Sequence, residues 1–295
     1  MYLKKNDLGE SVTRLQEWLL FCMPDIFQYW GEPIAKMGEF CENTDAILKE
    51  YQQRKGLVAD GIFGEKSFQT LRTDIQKLTN WADAPRGSKI SCPVTKYQKG
   101  YGDFRLRTDA AYWFNKVSEA CAAAGAIITS SGADRVLTAD VSANRSPTSM
   151  HYIATAFDLY VYSAMVNPEI DPFVVEKDGD YWRVWARAKT GVLRTIANPI
   201  TYKQPLGSKR AVSGVFVDFT AICEENHFKR IKPRQSFFKG GNDMGAEWWH
   251  FQNEFVLFPN FSTFGQELLE LYSADKINRT PVAKYKSATF KKDWF

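Results

Sequence analysis

The 295-residue chain has three histidines, so the places where imidazole chemistry can occur are few. His151 lies in Ser149-Met150-His151-Tyr152-Ile153-Ala154-Thr155-Ala156-Phe157-Asp158, and His250 closes Glu247-Trp248-Trp249-His250. Two imidazoles and one carboxylate are a sufficient set for a catalytic zinc ion, which takes three protein ligands and keeps a fourth position for water. Such a metal lowers the pKa of its water towards about 7, and a carboxylate outside the coordination shell can take the proton as a carbonyl is attacked. Glu247 is the natural candidate for that base. A lone histidine is more often structural than a ligand, and His227 is read so.

The spacings constrain the backbone. His151 and Asp158 are seven apart, an odd separation that places them on opposite faces of a regular strand. One must sit off the strand, so His151 is expected in the loop entering it and Asp158 within it, with Ala154 and Ala156 allowing close approach. Glu247 and His250, three apart, need a strand end or bulge. The Glu-x-x-His pattern also occurs at Glu224–His227, and two such pairs mark di-iron helix bundles, where two further helices each supply a glutamate. Here the aromatic flanks Trp249-His250-Phe251 and Phe255-Val256-Leu257-Phe258 favour strand over helix, which sets that alternative aside.

The elements that must position these residues follow from composition and periodicity. A chain that is 44% hydrophobic and 24% charged is globular, and its length suits one large or two modest domains. No apolar run reaches the roughly 18 residues of a membrane span, and the start lacks the apolar core of a signal peptide. The five cysteines are scattered without a Cys-x-x-Cys pair, and are read as reduced and mostly buried. The net charge of +4 is concentrated at residues 276–295, where six Lys and Arg stand against one Asp, interleaved with aromatics. Such a tail suits an anionic surface.

Residues 1–76 read as a small helical domain with a faint internal echo. Val12, Leu15 and Leu19, and again Phe68, Leu71 and Ile75, fall at helical spacing, and the turn formers Asp60-Gly61 and Gly64 separate the later helices. Residues 77–104 read as a polar linker. In residues 105–275 a helix from Thr108 to about Ala124 leads into a strand at Ala126–Thr129. Strand-like runs follow near 155–162, 181–187, 213–222 and 247–256, with a closing helix at 264–273. Without regular strand–helix alternation the fold class is α+β, a three-helix module followed by an α+β domain with a mostly antiparallel sheet.

Two resemblances sharpen this reading. Gly9, Val12, Leu15, Gln16, Gly56, Leu57 and the Asp60-Gly61-Ile62-Phe63-Gly64 turn resemble the three-helix peptidoglycan-binding domain of many cell-wall hydrolases, although Phe21–Thr44 is longer than usual. The order Ser149-x-His151…Ala156-x-Asp158, then Glu247-x-Trp249-His250, resembles the zinc D,D-carboxypeptidase and L-alanyl-D-glutamate endopeptidase family, which includes the vancomycin-resistance dipeptidases. That resemblance implies one zinc ion held by His151, Asp158 and His250, with Glu247 as base. Ala154 stands where the family usually has Gly. The family's substrate arginine corresponds to Arg135 in Ser130-Ser131-Gly132-Ala133-Asp134-Arg135, with Arg145 as rival. Asp134 could pair with either. Ser149 matches a motif position, and of Trp248 and Trp249 one is expected in the core, leaving Trp248 as a pocket wall.

Together these imply a monomeric cell-wall hydrolase that binds peptidoglycan, takes no nucleic acid and has no transmembrane segment. Its order of parts resembles phage endolysins, which are made in the cytoplasm and act on the wall after release, with the basic tail at 276–295 suited to envelope contact. The competing class is a non-catalytic peptidoglycan-binding protein with a structural zinc fold.

Overall fold

A computed structural model describes residues 1–26, 36–85, 87–142, 145–240 and 242–285. The chain divides into two compact units, Met1–Gly87 with Phe255–Phe295, and Ser88–Glu254.

The first unit opens with the three-helix module: α1 (Glu10–Cys22), α2 (Glu42–Arg54) and α3 (Glu65–Leu78). Val12, Leu15 and Leu19 on α1, Ile47, Leu48 and Tyr51 on α2, and Phe68, Leu71 and Ile75 on α3 are all buried, as their spacing requires. The internal echo has a physical basis in two buried glutamines. Gln16 Nε2 donates to Lys36 O and Glu39 O at 3.1 and 2.9 Å, while its Oε1 accepts from Gly38 N at 2.7 Å. Gln52 treats the second turn alike, donating to Ile62 O at 3.0 Å and accepting from Gly61 N at 3.0 Å. Gly61, at φ 73°, sits where any other residue would be strained, and a Cβ there would lie 2.1 Å from Asp45 Oδ1 and displace that side chain.

The chain re-enters this unit after Glu254. Trp18 Nε1 donates to Phe255 O at 2.8 Å, and the Phe258 ring lies 5.0, 5.1 and 5.6 Å from Trp18, Phe63 and Phe68. Helix α7 (Phe264–Leu271) begins with a Thr263–Gln266 capping box, and its Glu267 and Glu270 bind Arg72 at 2.9 and 3.1 Å. Helices α4 (Thr108–Ala123), α5 (Phe219–Glu225) and α6 (Gln235–Phe238) belong to the second unit. Residues 255–275, assigned from sequence to the domain that begins at 105, therefore pack with residues 1–76. Their apolar run marks burial without saying in which core. Helix α8 (Ala274–Asn278) holds Lys276, and a 3-10 turn at Pro281–Tyr285 holds Lys284. Lys286, Phe290, Lys291, Lys292, Trp294 and Phe295 of the basic tail lie outside the described residues, as does 27–35 of the long insertion.

The second unit is α+β, and all its ladders are antiparallel. Strand β1 (Lys89–Pro93), inside the stretch read as linker, pairs with β2 (Asp103–Arg107), which leads into α4. One three-stranded sheet places β8 (His250–Asn253) between β3 (Ala156–Asp158) and β7 (Phe228–Arg230). The other places the long β5 (Tyr181–Ile196) between β4 (Phe173–Asp178) and β6 (Val212–Asp218). Phe157, at the centre of β3, is packed by Phe104, Phe114, Phe228 and Phe251. Ala126–Thr129, expected as a strand, forms no ladder. Its neighbourhood offers single bonds from loops instead, with Thr95 N donating to Ile128 O and Tyr101 N to Ser130 O. The cysteines are free thiols, with Cys92, Cys121 and Cys223 buried, and burial pushes Cys92 and Cys121 up to about 12.

Candidate metal centre

His151, Asp158 and His250 converge in the second unit, each offering one atom within 4.8 Å of the others. The strand register does much of this, because Asp158, last in β3, pairs directly with His250, first in β8. His250 Nδ1 lies 2.9 Å from Asp158 Oδ1 and 3.2 Å from His151 Nε2, and His151 Nε2 lies 3.3 Å from Asp158 Oδ2. A tetrahedral ion bound at about 2.0–2.1 Å sets its ligands about 3.3 Å apart, and the two imidazole nitrogens stand near that separation, each with a different Asp158 oxygen at a similar distance.

His151 is placed by a turn ahead of β3. Tyr152 N donates to Ser149 O at 3.0 Å, Ala154 N to His151 O at 3.1 Å and Thr155 N to Met150 O at 3.1 Å, with Ala154 at φ 54°. The segment Ser131–Arg135 braces the ligands by its backbone. Asp158 N donates to Gly132 O and Ser131 N to Asp158 O, both at 2.8 Å, Arg135 N donates to His151 O at 3.0 Å, and the Ala133 carbonyl meets His151 Nδ1. A carbonyl only accepts, so Nδ1 carries the proton and Nε2 keeps its lone pair for an ion.

The electrostatics suit a charged cluster. Burial pushes the Asp158 carboxyl up, but His151 and His250 beside it hold it well below the usual carboxylate range. Burial pushes His250 down, and the bond and charge of Asp158 override that to raise it. Glu247 adds a further, smaller upward push on His250.

Glu247 occupies the turn entering β8, at φ 53°, with His250 N donating to its carbonyl at 3.3 Å. Its Oε1 accepts from Arg234 Nε and Nη2, each at 2.7 Å. Sequence reading gave no sign of Arg234, which reaches Glu247 from 13 residues upstream. The Arg135 guanidinium lies over the Tyr152 ring, 5.4 Å from its centroid. Asp134 pairs with Lys89 and Arg105 at 3.0 and 2.9 Å. Arg145 is exposed with its N–H on Ser142 O, and Ser149 is half-buried with its N–H on Ser146 O. Trp248, expected on the pocket wall, is 2% exposed and its Nε1 donates to Tyr202 Oη at 3.1 Å, and Trp249 is buried too, so both rings stand in the core. His227 sits at φ 62° just past α5, edge-on to Trp113 at 4.4 Å, as a helix-end residue.

Residues 9–71 match a family model for the peptidoglycan binding domain. The three-helix module is therefore a peptidoglycan-binding domain. No curated protein matches the chain. No helix among the described residues is long and apolar enough to cross a membrane.

Proposed function

We propose that this protein is a cell-wall hydrolase whose N-terminal domain holds peptidoglycan while the Ser88–Glu254 unit cleaves stem or cross-link peptides as a zinc peptidase. The observation that carries this is the convergence of His151, Asp158 and His250 at coordination spacing with a braced glutamate, Glu247, in the turn beside them. Two imidazoles and a carboxylate that leave a position open are a donor set suited to one catalytic zinc ion, which when bound supplies an acidified water and polarises a carbonyl. Glu247 accepts the proton of the attacking water and returns it to the leaving amine, and Arg234 holds the carboxylate in place for both transfers. Arg135, with Arg145 as rival, fixes a substrate carboxylate, since a planar guanidinium offers two parallel donors. Attachment of the first unit to an insoluble substrate raises the local concentration of cleavable bonds.

This combination fits a phage endolysin, made in the cytoplasm and released to the wall, with the basic tail touching the anionic envelope. The test is mass spectrometry of muropeptides after the zinc-loaded protein has been incubated with intact sacculi. Loss of terminal D-alanine identifies a carboxypeptidase, and new L-alanine ends or opened cross-links identify an endopeptidase. An unchanged profile with the protein still bound to sacculi refutes the peptidase and leaves a peptidoglycan-binding protein.

A further inference from the structure

His250 presents a different nitrogen to the cluster from His151. In His151 it is Nε2 that faces the other ligands, whereas in His250 it is Nδ1. An imidazole offers a lone pair to an ion on only one nitrogen, so His250 must carry its proton on Nε2. That nitrogen meets a side chain rather than a backbone carbonyl, lying 3.1 Å from Gln252 Oε1. An amide can present either oxygen or NH2, and only the oxygen enforces the required tautomer. Its orientation is settled one residue pair further on, where Gln252 Nε2 donates to Glu254 Oε1 at 2.5 Å, because a carboxylate oxygen accepts and cannot donate. The three residues alternate along β8 and its extension, so His250, Gln252 and Glu254 share one face. The residue opposite Gln252 on β3 is the buried Ala156.

We infer that Gln252 and Glu254 are positioning residues that favour the Nε2–H tautomer of His250 against the pull of Asp158 on Nδ1, and so set the site's affinity for a divalent cation. This rests on the metal reading of the cluster and not on the peptidase reading. Removing an acceptor behind a metal-binding histidine typically weakens metal affinity by about tenfold to a hundredfold.

With only three histidines in the chain, long-range proton–nitrogen correlation spectra of the full-length, metal-free protein can resolve each ring. At about pH 9, above the histidine range, Asp158 Oδ1 and Gln252 Oε1 compete for the single His250 proton, so His250 is expected as a mixture in which the Nε2–H form is populated. Gln252→Met keeps the side-chain length and loses the amide, so His250 should shift to the Nδ1–H form that Asp158 favours, and zinc affinity, read by chelator competition, should fall about tenfold to a hundredfold. Gln252→Glu restores an acceptor and should keep the Nε2–H form with affinity near that of the parent. Glu254→Ala frees the amide to flip and should likewise shift His250 towards the Nδ1–H form. The inference is overturned if Gln252→Met retains the Nε2–H form and its zinc affinity, or if Gln252→Met and Gln252→Glu behave alike. Unaltered muropeptides would bear on catalysis alone and leave these readouts intact.

Discussion

Replacing Phe258 with alanine tests whether the returning segment is an integral part of the peptidoglycan-binding unit. The Phe258 side chain is 0% exposed, and its ring is surrounded by Trp18 and Phe68, one on each of α1 and α3, with Phe63 and Phe261 completing the cage at 5.1 Å each. Truncating a fully buried phenylalanine to alanine costs about 3–5 kcal/mol, because the lost transfer energy adds to that of the cavity left behind. That is a large share of the roughly 5–15 kcal/mol by which a domain is stable. At about 1.4 kcal/mol per decade, exchange of the slowest amides should accelerate about 150- to 5,000-fold. Hydrogen exchange read by mass spectrometry should show this in peptides covering Val12–Leu19 and Phe68–Ile75, which lie almost two hundred residues or more before the substitution. Binding to sacculi should weaken with it. Val192→Ala is the control, since Val192 is 65% exposed and its loss should stay within about 0.5 kcal/mol. If α1 and α3 exchange at unchanged rates while only residues 264–271 become labile, the segment is an appendage and the reasoning fails.

Glu247→Gln should abolish muropeptide release while zinc content, measured by atomic emission, stays at the parent level; lost zinc would mean Glu247 has been given the wrong role. Arg234→Met should leave zinc bound and lower turnover by about tenfold to a hundredfold through a misplaced base, with KM little changed, and an unaltered turnover number would remove Arg234 from the site. In the metal-free protein the Asp158–His250 pair should stabilise the fold most between the ordinary values of 3.8 and 6.5 for these groups. Its contribution is lost below that window as Asp158 protonates at its lowered pKa, and above it as His250 deprotonates at its raised one. Zinc requires the neutral imidazole, so the rise in unfolding temperature on adding zinc should grow with pH through the His250 transition; a shift independent of pH would contradict this.

Much of this was legible in the sequence because periodicity and parity are local. The helical spacing in α1 and α3 survives as buried faces, and the helix from Thr108 ends one residue before its expected limit, at Ala123. Strands β1, β2, β4 and β7 were not legible: Lys89–Pro93 is short and ends in proline, Asp103–Arg107 is short and straddles the end of the stretch read as linker, and Phe228–Arg230 has three residues, too few for alternation to register. The destination of Phe255–Phe261 was invisible for another reason. Hydrophobicity says that such a run is buried, while the partner aromatics Trp18, Phe63 and Phe68 are set by long-range topology. Arg234 escaped because an arginine among many surface cations carries no local mark of its partner.

The two awkward spacings of the site have a common solution. His151 with Asp158 and Glu247 with His250 are each split between a turn and a strand, and in each turn a residue other than glycine takes a left-handed conformation, Ala154 at φ 54° and Glu247 at φ 53°. Such residues cost roughly 1–2 kcal/mol each and persist where surrounding bonds over-determine them. At Ala154 those bonds are the donors from Ala154 N to His151 O and from Arg107 N, at 2.8 Å, to Ala154 O. At Glu247 they are the Arg234 grip and the His250 N–H on its carbonyl. The reversal at Ala154 turns the chain between His151 and β3, so that an odd separation brings both side chains to one point. The reversal at Glu247 takes its carboxylate off the β8 alternation, which would otherwise put it on the face opposite His250. Both pairs therefore escape strand alternation because the backbone breaks strand geometry at one residue in each motif, where the parity of the spacing required a break.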